Sequence, residues 1–252
     1  MHIEVAGQTD VGRKRAHNED NFAIFGEFGL YIVADGMGGH ASGEVASRLA
    51  VDTMRDFFAT TADDPEKTWP YKMDRGRGYE ENRLITGIKL SNLRIFESAK
   101  QNPQQRGMGT TIVALFVTGE GCHLAHVGDS RIYRLREGIL EQLTEDHSLL
   151  NDYKKMKQLT AEEVANFPHK NVIVRALGMK ESVKVDSRFE APRSGDTLLL
   201  CSDGLAGPVS DEDIQRILES TPDLTQAAAH LINKANENGG PDNVTCVLAR
   251  WS

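Results

Sequence analysis

Apolar residues along the chain follow two spacings, which predict two kinds of element. Alternating or continuous apolar runs are typical of strands, whereas apolar positions three and four residues apart are typical of one face of a helix. The strand pattern covers residues 2–9, 22–25, 30–35, 112–117, 122–127, 131–136, 139–143, 183–190, 197–201 and 244–249. The helix pattern covers residues 44–60, 80–100, 210–220 and 223–238. Short glycine-containing turns within 112–127 and 131–143 predict two hairpins, and hence antiparallel pairing.

Residues 146–178, which we call the flap, interrupt this pattern. Their composition predicts two short surface helices, and Thr160 with Glu163 forms a candidate capping box. We interpret His147, at the start of the flap, as an anchor that holds it by hydrogen bonds. Contact of His147 with substrate or with a metal-bound water is the alternative. Residues 63–78 contain two prolines and an Arg-Gly repeat, which is typical of a loop.

Asp35 stands where a buried strand ends in a glycine-rich turn before a helix. Two interpretations compete for this stretch. The spacing Gly36-x-Gly38-x-x-Ala41 fits a dinucleotide-binding turn, but Asp35 would repel the pyrophosphate. A dinucleotide-binding turn is also part of a βαβ unit, which needs a second parallel strand after the helix, but the polar stretch 60–82 follows instead. We favour a cation site, with the Asp35 carboxylate and the Gly36 carbonyl as ligands.

Acidic residues recur in this way where predicted strands begin or end. The set comprises Glu19, Asp20, Asp35, Asp129, Asp203 and Asp242. Carboxylates that converge repel one another unless cations neutralise them. Because no cluster of histidines or cysteines accompanies them, these hard oxygen ligands favour Mg²⁺ or Mn²⁺ over zinc. The pattern therefore predicts a site for two divalent ions.

Composition restricts the classes of function. The formal net charge of -8 and the pI near 5.5 argue against nucleic-acid binding, which needs basic residues against phosphates. At 252 residues, 39% of them hydrophobic, the chain is long enough for a real core, and we expect one domain over 1–252. We expect Cys122, Cys201 and Cys246 to be reduced core residues. No secretory leader or bilayer-spanning apolar run is present, so we expect a cytoplasmic protein with no membrane insertion.

Six motifs in the chain resemble those of the metal-dependent serine/threonine protein phosphatases, the PPM or type 2C family, in its bacterial form. They are GxxRxxNED at 12–20, VADGMGGH at 33–40, GMGTT at 107–111, VGDSR at 127–131, CSDG at 201–204 and GGPDNVT at 239–245. Each motif alone is weak, but the six together, in the family's order, are highly specific. The resemblance implies an α+β fold, a four-layer α-β-β-α sandwich of two antiparallel sheets flanked by helix pairs. It places the metals in a cleft at one edge of the sheets.

The resemblance also implies roles for individual residues. Asp35 is expected to bridge two ions, Mn²⁺ or Mg²⁺, and Asp203 and Asp242 to complete the site of one of them. Asp129 matches an acid that binds a possible third ion in bacterial members. Arg15 matches the arginine that binds the substrate phosphate, and its fork of donors suits phosphate oxygens.

For the second ion, the resemblance implies the Gly36 carbonyl and the Glu19 and Asp20 pair as ligands, partly through water. The implied partners are phosphorylated proteins, with Ser/Thr kinases as candidates among them.

The chemistry of such a site predicts hydrolysis without a phosphoenzyme. Two divalent ions roughly 3.5–4 Å apart lower the pKa of a bridging water and stabilise an in-line displacement at phosphorus. No cysteine is followed by an arginine six residues later, so the arrangement of the tyrosine phosphatases is absent. His40, in the loop beside Asp35, is the candidate general acid for the leaving alkoxide. A brace for the loop is the alternative role of His40.

Two other functions remain open for the same acids. One is an inactive module that binds phosphoproteins without turnover, and the other is a hydrolase of phosphodiesters or nucleotides. Lys154, Lys155 and Lys157 in the flap are candidates for attracting phosphoprotein, although a solvated helix face is the interpretation we favour for them.

Overall fold

The computed structural model describes residues 2–39, 42–62, 69–157, 159–165, 167 and 172–252. In this part of the chain the apolar runs form two sheets in which all neighbouring strands are antiparallel. The first sheet contains, in spatial order, β1 (Ile3–Asp10), β11 (Val244–Trp251), β10 (Thr197–Cys201), β7 (Arg131–Arg136) and β8 (Ile139–Gln142). The first and last strands of the chain are thus neighbours.

The second sheet is built from the middle of the chain. It contains, in spatial order, β2 (Asp20–Phe25), β3 (Leu30–Met37), β5 (Ile112–Val117), β6 (Cys122–Val127) and β9 (Asp186–Glu190), with β4 (Gly109–Thr110) paired to the end of β3. Since β5 is antiparallel to β3, the chain does not form the βαβ unit that a dinucleotide-binding turn requires. The dinucleotide-binding interpretation is therefore wrong.

Helix pairs cover the outer faces of the two sheets. Helices α1 (Ser42–Thr60) and α2 (Tyr79–Gln101) lie on the second sheet. Helices α6 (Asp211–Ser220) and α7 (Leu224–Glu237) lie on the first. Short 3₁₀ turns occur at Gly26–Phe28 and Pro103–Gln105. The predicted four-layer α-β-β-α sandwich is confirmed.

Alternation along each strand explains the continuous apolar runs. In β3, Ile32 belongs to the core beneath α1 and α2, whereas its neighbour Val33 belongs to the core between the sheets. In β10, Leu199 faces α6 and α7 in the same way, and Leu200 faces the other sheet. Because both faces of these strands are buried, apolar residues occupy successive positions. Cysteines 122, 201 and 246 are free and buried, as predicted.

The flap contains two short helices, α3 (Leu149–Met156) and α4 (Ala161–Ala165), as predicted. Thr160 and Glu163 form the predicted capping box. The Glu163 backbone N–H donates to Thr160 Oγ1 at 3.2 Å, and the Thr160 N–H donates to Glu163 Oε2 at 2.7 Å. Ser148 caps α3 by accepting from the Asn151 backbone N–H.

Most boundaries lie within two residues of the sequence prediction, and the largest shift at the start of a strand is that of β9. This strand begins at Asp186 rather than at residue 183, because its partner β6 ends at Val127 and its pairing starts with His126 opposite Asp186. The Asp-Gly that follows β10 opens a one-turn helix, α5 (Asp203–Ala206), which the sequence pattern did not predict. Among the described helices, none is long and apolar enough to cross a membrane.

Candidate metal centre

Asp20 and Asp35 face each other across the β2–β3 pair. Asp20 is buried at 8% exposure, and its Oδ2 accepts from Ser202 Oγ at 2.8 Å and from Thr245 Oγ1 at 2.6 Å. Its second oxygen, Oδ1, has no hydrogen-bond partner among the described residues. Because a buried carboxylate oxygen without a partner is costly, this atom suits a cation or its water.

The backbone of Asp35 is fixed by two neighbouring threonines. Its N–H donates to Thr111 Oγ1 at 3.1 Å, and its carbonyl accepts from the Thr111 N–H and from Thr110 Oγ1, each at 2.8 Å. The strand therefore presents the half-buried Asp35 carboxylate in one direction.

The first sheet contributes Asp203 and Asp242 from the end of β10 and the residues before β11. The charge of Asp203 contributes to raising the pKa of the Asp35 carboxyl, so these two acids lie near each other. Asp242 accepts from Arg15 Nη2 at 2.7 Å through Oδ2 and from the Asn243 N–H at 2.8 Å through Oδ1. Acids from the two sheets thus meet at one edge of the sandwich, as predicted.

Asp129 lies in the turn between β6 and β7 and is also buried, with its Oδ1 unpartnered among the described residues. The turn depends on Gly128, whose φ of +112° is strained for residues with a side chain. Ser130 Oγ lies 2.7 Å from Thr111 Oγ1. Thr111 therefore connects the Asp129 turn to the backbone that holds Asp35.

We call Asp20, Asp35, Asp129, Asp203 and Asp242 the acidic cluster. Burial, and after it the negative charge of Asp203, raises the pKa of both Asp20 and Asp129 to about 7. Burial and the Asp20 carboxylate raise the pKa of Asp35 well above its ordinary value, and burial and Asp242 raise that of Asp203. Without cations the cluster is too crowded for full ionisation, so its residues fit a site for divalent ions.

Glu19 and Gly36 lie beside the cluster. The Gly36 N–H donates to the Glu19 carbonyl at 3.1 Å, and Glu19 Oε1 accepts from the Gly43 N–H at 3.2 Å. A Cβ at Gly36 would lie 2.2 Å from the Gly43 carbonyl oxygen and 2.5 Å from that of Glu19. Only glycine fits this approach between β3 and the start of α1.

The structure describes one of the two candidate catalytic residues, Arg15. Arg15 is half-exposed and forms an ion pair with Asp242, so its guanidinium lies at the rim of the acidic cluster. His40, the candidate general acid, lies outside the described residues.

A cleft of about 490 Å³ opens between the flap and the acidic cluster. Its lining includes Asp129, Asp203 and Asp242 of the acidic cluster and Ser148, Leu150, Asn151 and Lys154 of the flap. Its size is that of a ligand pocket, and the acids lie at its wall.

His147 anchors the flap, as we interpreted it. Its Nδ1 accepts from the Gly128 N–H at 3.0 Å, which leaves its Nε2 as the donor to Asp186 Oδ2 at 2.9 Å. With His126 these two side chains have the composition of a metal site. However, Arg175 Nη1 lies 2.9 Å from His147 Nε2 and 3.0 Å from Asp186 Oδ2, so a guanidinium already supplies the positive charge. Burial lowers the pKa of His147 to about 4.

The supporting polar residues were missed from sequence. Ser202, Thr245 and Asn243 hold the acids and the loop before β2, yet each lies beside or within an apolar strand. A hydroxyl or amide in such a run is itself a signal, because a buried polar group needs a partner.

Comparison with known proteins agrees with this geometry. Residues 9–251 match the family model described as protein phosphatase 2C. The chain belongs to the protein phosphatase 2C family. It is similar to the serine/threonine phosphatase stp of Listeria monocytogenes, with 39% identity over 98% of this chain and 95% of that protein.

Solved structures of protein phosphatase 2C relatives share the whole fold. The serine/threonine phosphatase PstP/Ppp of Mycobacterium tuberculosis is 37% identical, with a TM-score of 0.86 over 99% of both chains. The catalytic domain of serine/threonine protein phosphatase PstP in complex with two manganese ions is 36% identical, with a TM-score of 0.80 over 98% of this chain and 97% of that one.

Proposed function

We propose that this chain hydrolyses phosphoserine and phosphothreonine in proteins, with two ions of Mn²⁺ or Mg²⁺ at the acidic cluster and no phosphoenzyme. The observation that carries the proposal is the meeting of carboxylates from both sheets in one cluster, part of which lines a cleft and in which Asp20 and Asp129 each keep an oxygen without a partner among the described residues. The names of the relatives, which are serine/threonine phosphatases, and the two manganese ions in one of them support it.

In this proposal Asp35 would be shared by both ions, since it faces Asp20 of its own sheet and lies near Asp203 of the other. Asp203 and Asp242 would complete the site of one ion. Asp129 would be the ligand of a possible third ion, because it lines the same cleft as Asp203.

The second ion takes the Gly36 carbonyl with Glu19 and Asp20. Asp20 Oδ2 is occupied by two hydroxyl donors, which leaves Oδ1 for the ion or its water. Glu19 Oε1 accepts from the Gly43 N–H, which holds the side chain against the loop.

When bound, the two ions lower the pKa of a water and neutralise charge at the phosphorus in an in-line displacement. Arg15 orients the substrate phosphate, because its guanidinium is a fork of donors and only one of its nitrogens is used by Asp242. Asp242 holds that fork at the rim of the cleft. His40 donates the proton that the leaving alkoxide needs.

We also propose that residues 1–252 form one domain, since β1 pairs with β11 from the opposite end of the chain. The flap is its substrate-facing subdomain. Phosphorylated proteins, Ser/Thr kinases among them, are the proposed partners. Three free buried thiols fit the proposed reducing, cytoplasmic location.

The test is hydrolysis of a phosphothreonine peptide, a nucleotide and bis(p-nitrophenyl) phosphate, each with Mn²⁺ and with EDTA. We expect rapid, EDTA-sensitive release of phosphate from the peptide and little from the other two. Asp35→Asn and Asp203→Asn should remove the activity, whereas Glu120→Gln, in an exposed turn, should keep it.

Peptide hydrolysis that survives EDTA or Asp35→Asn would contradict the metal mechanism. Peptide binding without turnover would indicate an inactive module, and faster hydrolysis of the diester or nucleotide would indicate a different hydrolase.

A further inference from the structure

Each carboxylate that lines the cleft either belongs to the proposed metal site or is paired with an arginine. Asp129 and Asp203 belong to the acidic cluster, whose charge divalent ions would neutralise. Asp146 accepts from Arg131 Nε at 3.0 Å through Oδ1 and at 3.1 Å through Oδ2, and from Arg131 Nη2 at 2.7 Å through Oδ2. Asp242, the remaining carboxylate, is paired with an arginine at 2.7 Å. A basic group on a substrate therefore finds no free carboxylate in this wall.

Lys154 is the exception among the charged groups of the lining. It is exposed, and no described carboxylate lies within ion-pair distance of its ammonium. The next residue, Lys155, is paired with Glu145 at 2.9 Å. Among the described residues that line the cleft, Lys154 is therefore the one positive charge without a paired carboxylate.

Helix α3 directs Lys154 toward the cleft. Leu150 and Lys154 are four residues apart, so they share one face, and Asn151 adjoins them. The face is fixed because Asn151 Nδ2 donates to the Asp146 carbonyl at 2.9 Å and the Asn151 N–H donates to Ser148. A lysine on an ordinary solvated helix face would not line the cavity that contains the acids.

We infer that Lys154 selects substrates that carry an acidic side chain near the phosphorylated residue, with that carboxylate paired to the Lys154 ammonium. The inference rests on the proposed function. Leu150 of the flap, Pro208 and Pro241 also line the cleft and give it apolar contacts for the rest of the peptide. Binding clefts usually combine apolar walls with a few polar groups that provide selectivity.

The experiment compares three phosphothreonine peptides that differ at one position next to the phosphothreonine, which is Glu, Gln or Lys. A second set places the same three residues on the other side. The measured quantity is kcat/KM with Mn²⁺, expressed as the Glu/Gln and Glu/Lys ratios within each protein. The proteins are the wild type, Lys154→Ala, Lys154→Glu and the matched control Lys155→Ala.

We expect the wild type to prefer Glu over Gln by about three- to fivefold in one set, as a solvent-exposed ion pair allows. Lys154→Ala should bring the Glu/Gln ratio to about one. Lys154→Glu should reverse the preference, so that the Lys peptide is hydrolysed faster than the Glu peptide and the Glu/Lys ratio is roughly tenfold lower than in the wild type. Lys155→Ala should keep the wild-type ratio, and high salt should reduce it.

Three results would overturn the inference. Equal rates for all peptides in both sets, or a Glu preference that survives in Lys154→Glu, would contradict it while the phosphatase activity stands. A wild type that hydrolyses none of the peptides with Mn²⁺ would contradict the proposed function and the inference together. Because each ratio is measured within one protein, a variant that is partly unfolded still gives a valid result.

Discussion

The acidic cluster and the flap border the same cleft but are held by different interactions. The acids lie at strand ends, where strand register and buried hydroxyl groups such as that of Thr245 fix them. The described side chains of α3 and α4 are half-buried or exposed, and local caps and surface ion pairs hold these helices. The chemistry thus depends on the rigid sandwich, whereas substrate choice depends on a segment that can vary without disturbing it.

The largest expected effect is the loss of activity when the acidic cluster is neutralised. Asp203→Asn should lower kcat/KM by ~10³-fold, because it removes a proposed metal ligand and the charge stabilisation that would depend on it. In EDTA the same variant should be more stable than the wild type. Burial raises the pKa of the Asp203 carboxyl, so its ionised form costs folding free energy at neutral pH.

The measurements are phosphopeptide hydrolysis with Mn²⁺ and thermal unfolding in EDTA. Asp152→Asn, on the exposed side of α3, is the control and should change neither quantity. A lower melting temperature for Asp203→Asn in EDTA would show that this acid supports the fold without metal.

The second prediction concerns the loop before β2. Asn243 Oδ1 accepts from the Glu19 N–H at 2.8 Å, and its Nδ2 donates to the carbonyls of Val11 and His17, each at 2.9 Å. Asn243→Ala should lower the free energy of unfolding by about 2–4 kcal/mol, because it removes three hydrogen bonds to partly buried backbone groups. It should also raise the Mn²⁺ concentration for half-maximal activity, since Glu19 loses its support.

Urea unfolding and a Mn²⁺ titration of activity test this prediction. Asn238→Ala is the control, because its exposed side chain makes one hydrogen bond, to the Pro208 carbonyl. Similar losses of stability in the two variants would mean that the three Asn243 hydrogen bonds contribute no more than the single hydrogen bond of Asn238.

The third prediction is a pH dependence at the junction of the two regions. His147 is neutral in the fold, with a pKa lowered to about 4 by burial, the nearby ring of His126 and the charge of Arg175. The unfolded chain takes up a proton near pH 6.5. The stability from His147 is therefore complete above pH 6.5 and is lost as the pH falls toward 4, by roughly 3 kcal/mol.

Asp186 faces the same ring, and its own pKa of about 2 means that it stays ionised over this range. The test is urea unfolding at several pH values between 4 and 7. His147→Gln should flatten the curve, whereas the exposed His2→Gln should leave it unchanged. An unchanged slope in His147→Gln would assign the acid sensitivity to other groups.

The sequence predicted the sandwich well because its signals are local and repeated. Runs such as those around Ile32 and Leu199 are apolar on both faces, which is what strands between two layers require. The acidic residues were found for the same reason, since each interrupts such a run at its end. The family motifs then implied how Asp35 and Asp203 meet.

What escaped prediction depends on partners far apart along the chain. Nothing in the local sequence shows that Thr245 donates to Asp20, that Asn243 holds residues 11–19, or that Lys155 pairs with a carboxylate while Lys154 does not. These contacts follow from packing and side-chain direction. Specificity is therefore harder to predict from sequence than the metal centre.

The smallest expected effect comes from removing an N-cap hydroxyl in each region. This pair of substitutions compares the sandwich and the flap most directly, because the lost interaction is of the same kind in both. Ser210 accepts from the Asp213 N–H at the start of α6, which buries Ile214 and Leu218. Thr160 accepts from the Glu163 N–H at the start of α4 in the flap. Ser210→Ala should cost about 1 kcal/mol of global stability, as lost N-caps do.

Thr160→Ala should leave the urea transition unchanged if the flap opens before the sandwich unfolds. The lost cap should instead appear as faster hydrogen exchange of the flap amides, with the rates of the β10 and β11 amides unaltered. An equal loss of global stability in both variants would show that flap and sandwich unfold as one unit. A flap that opens by itself can exchange substrates while the acidic cluster keeps its geometry.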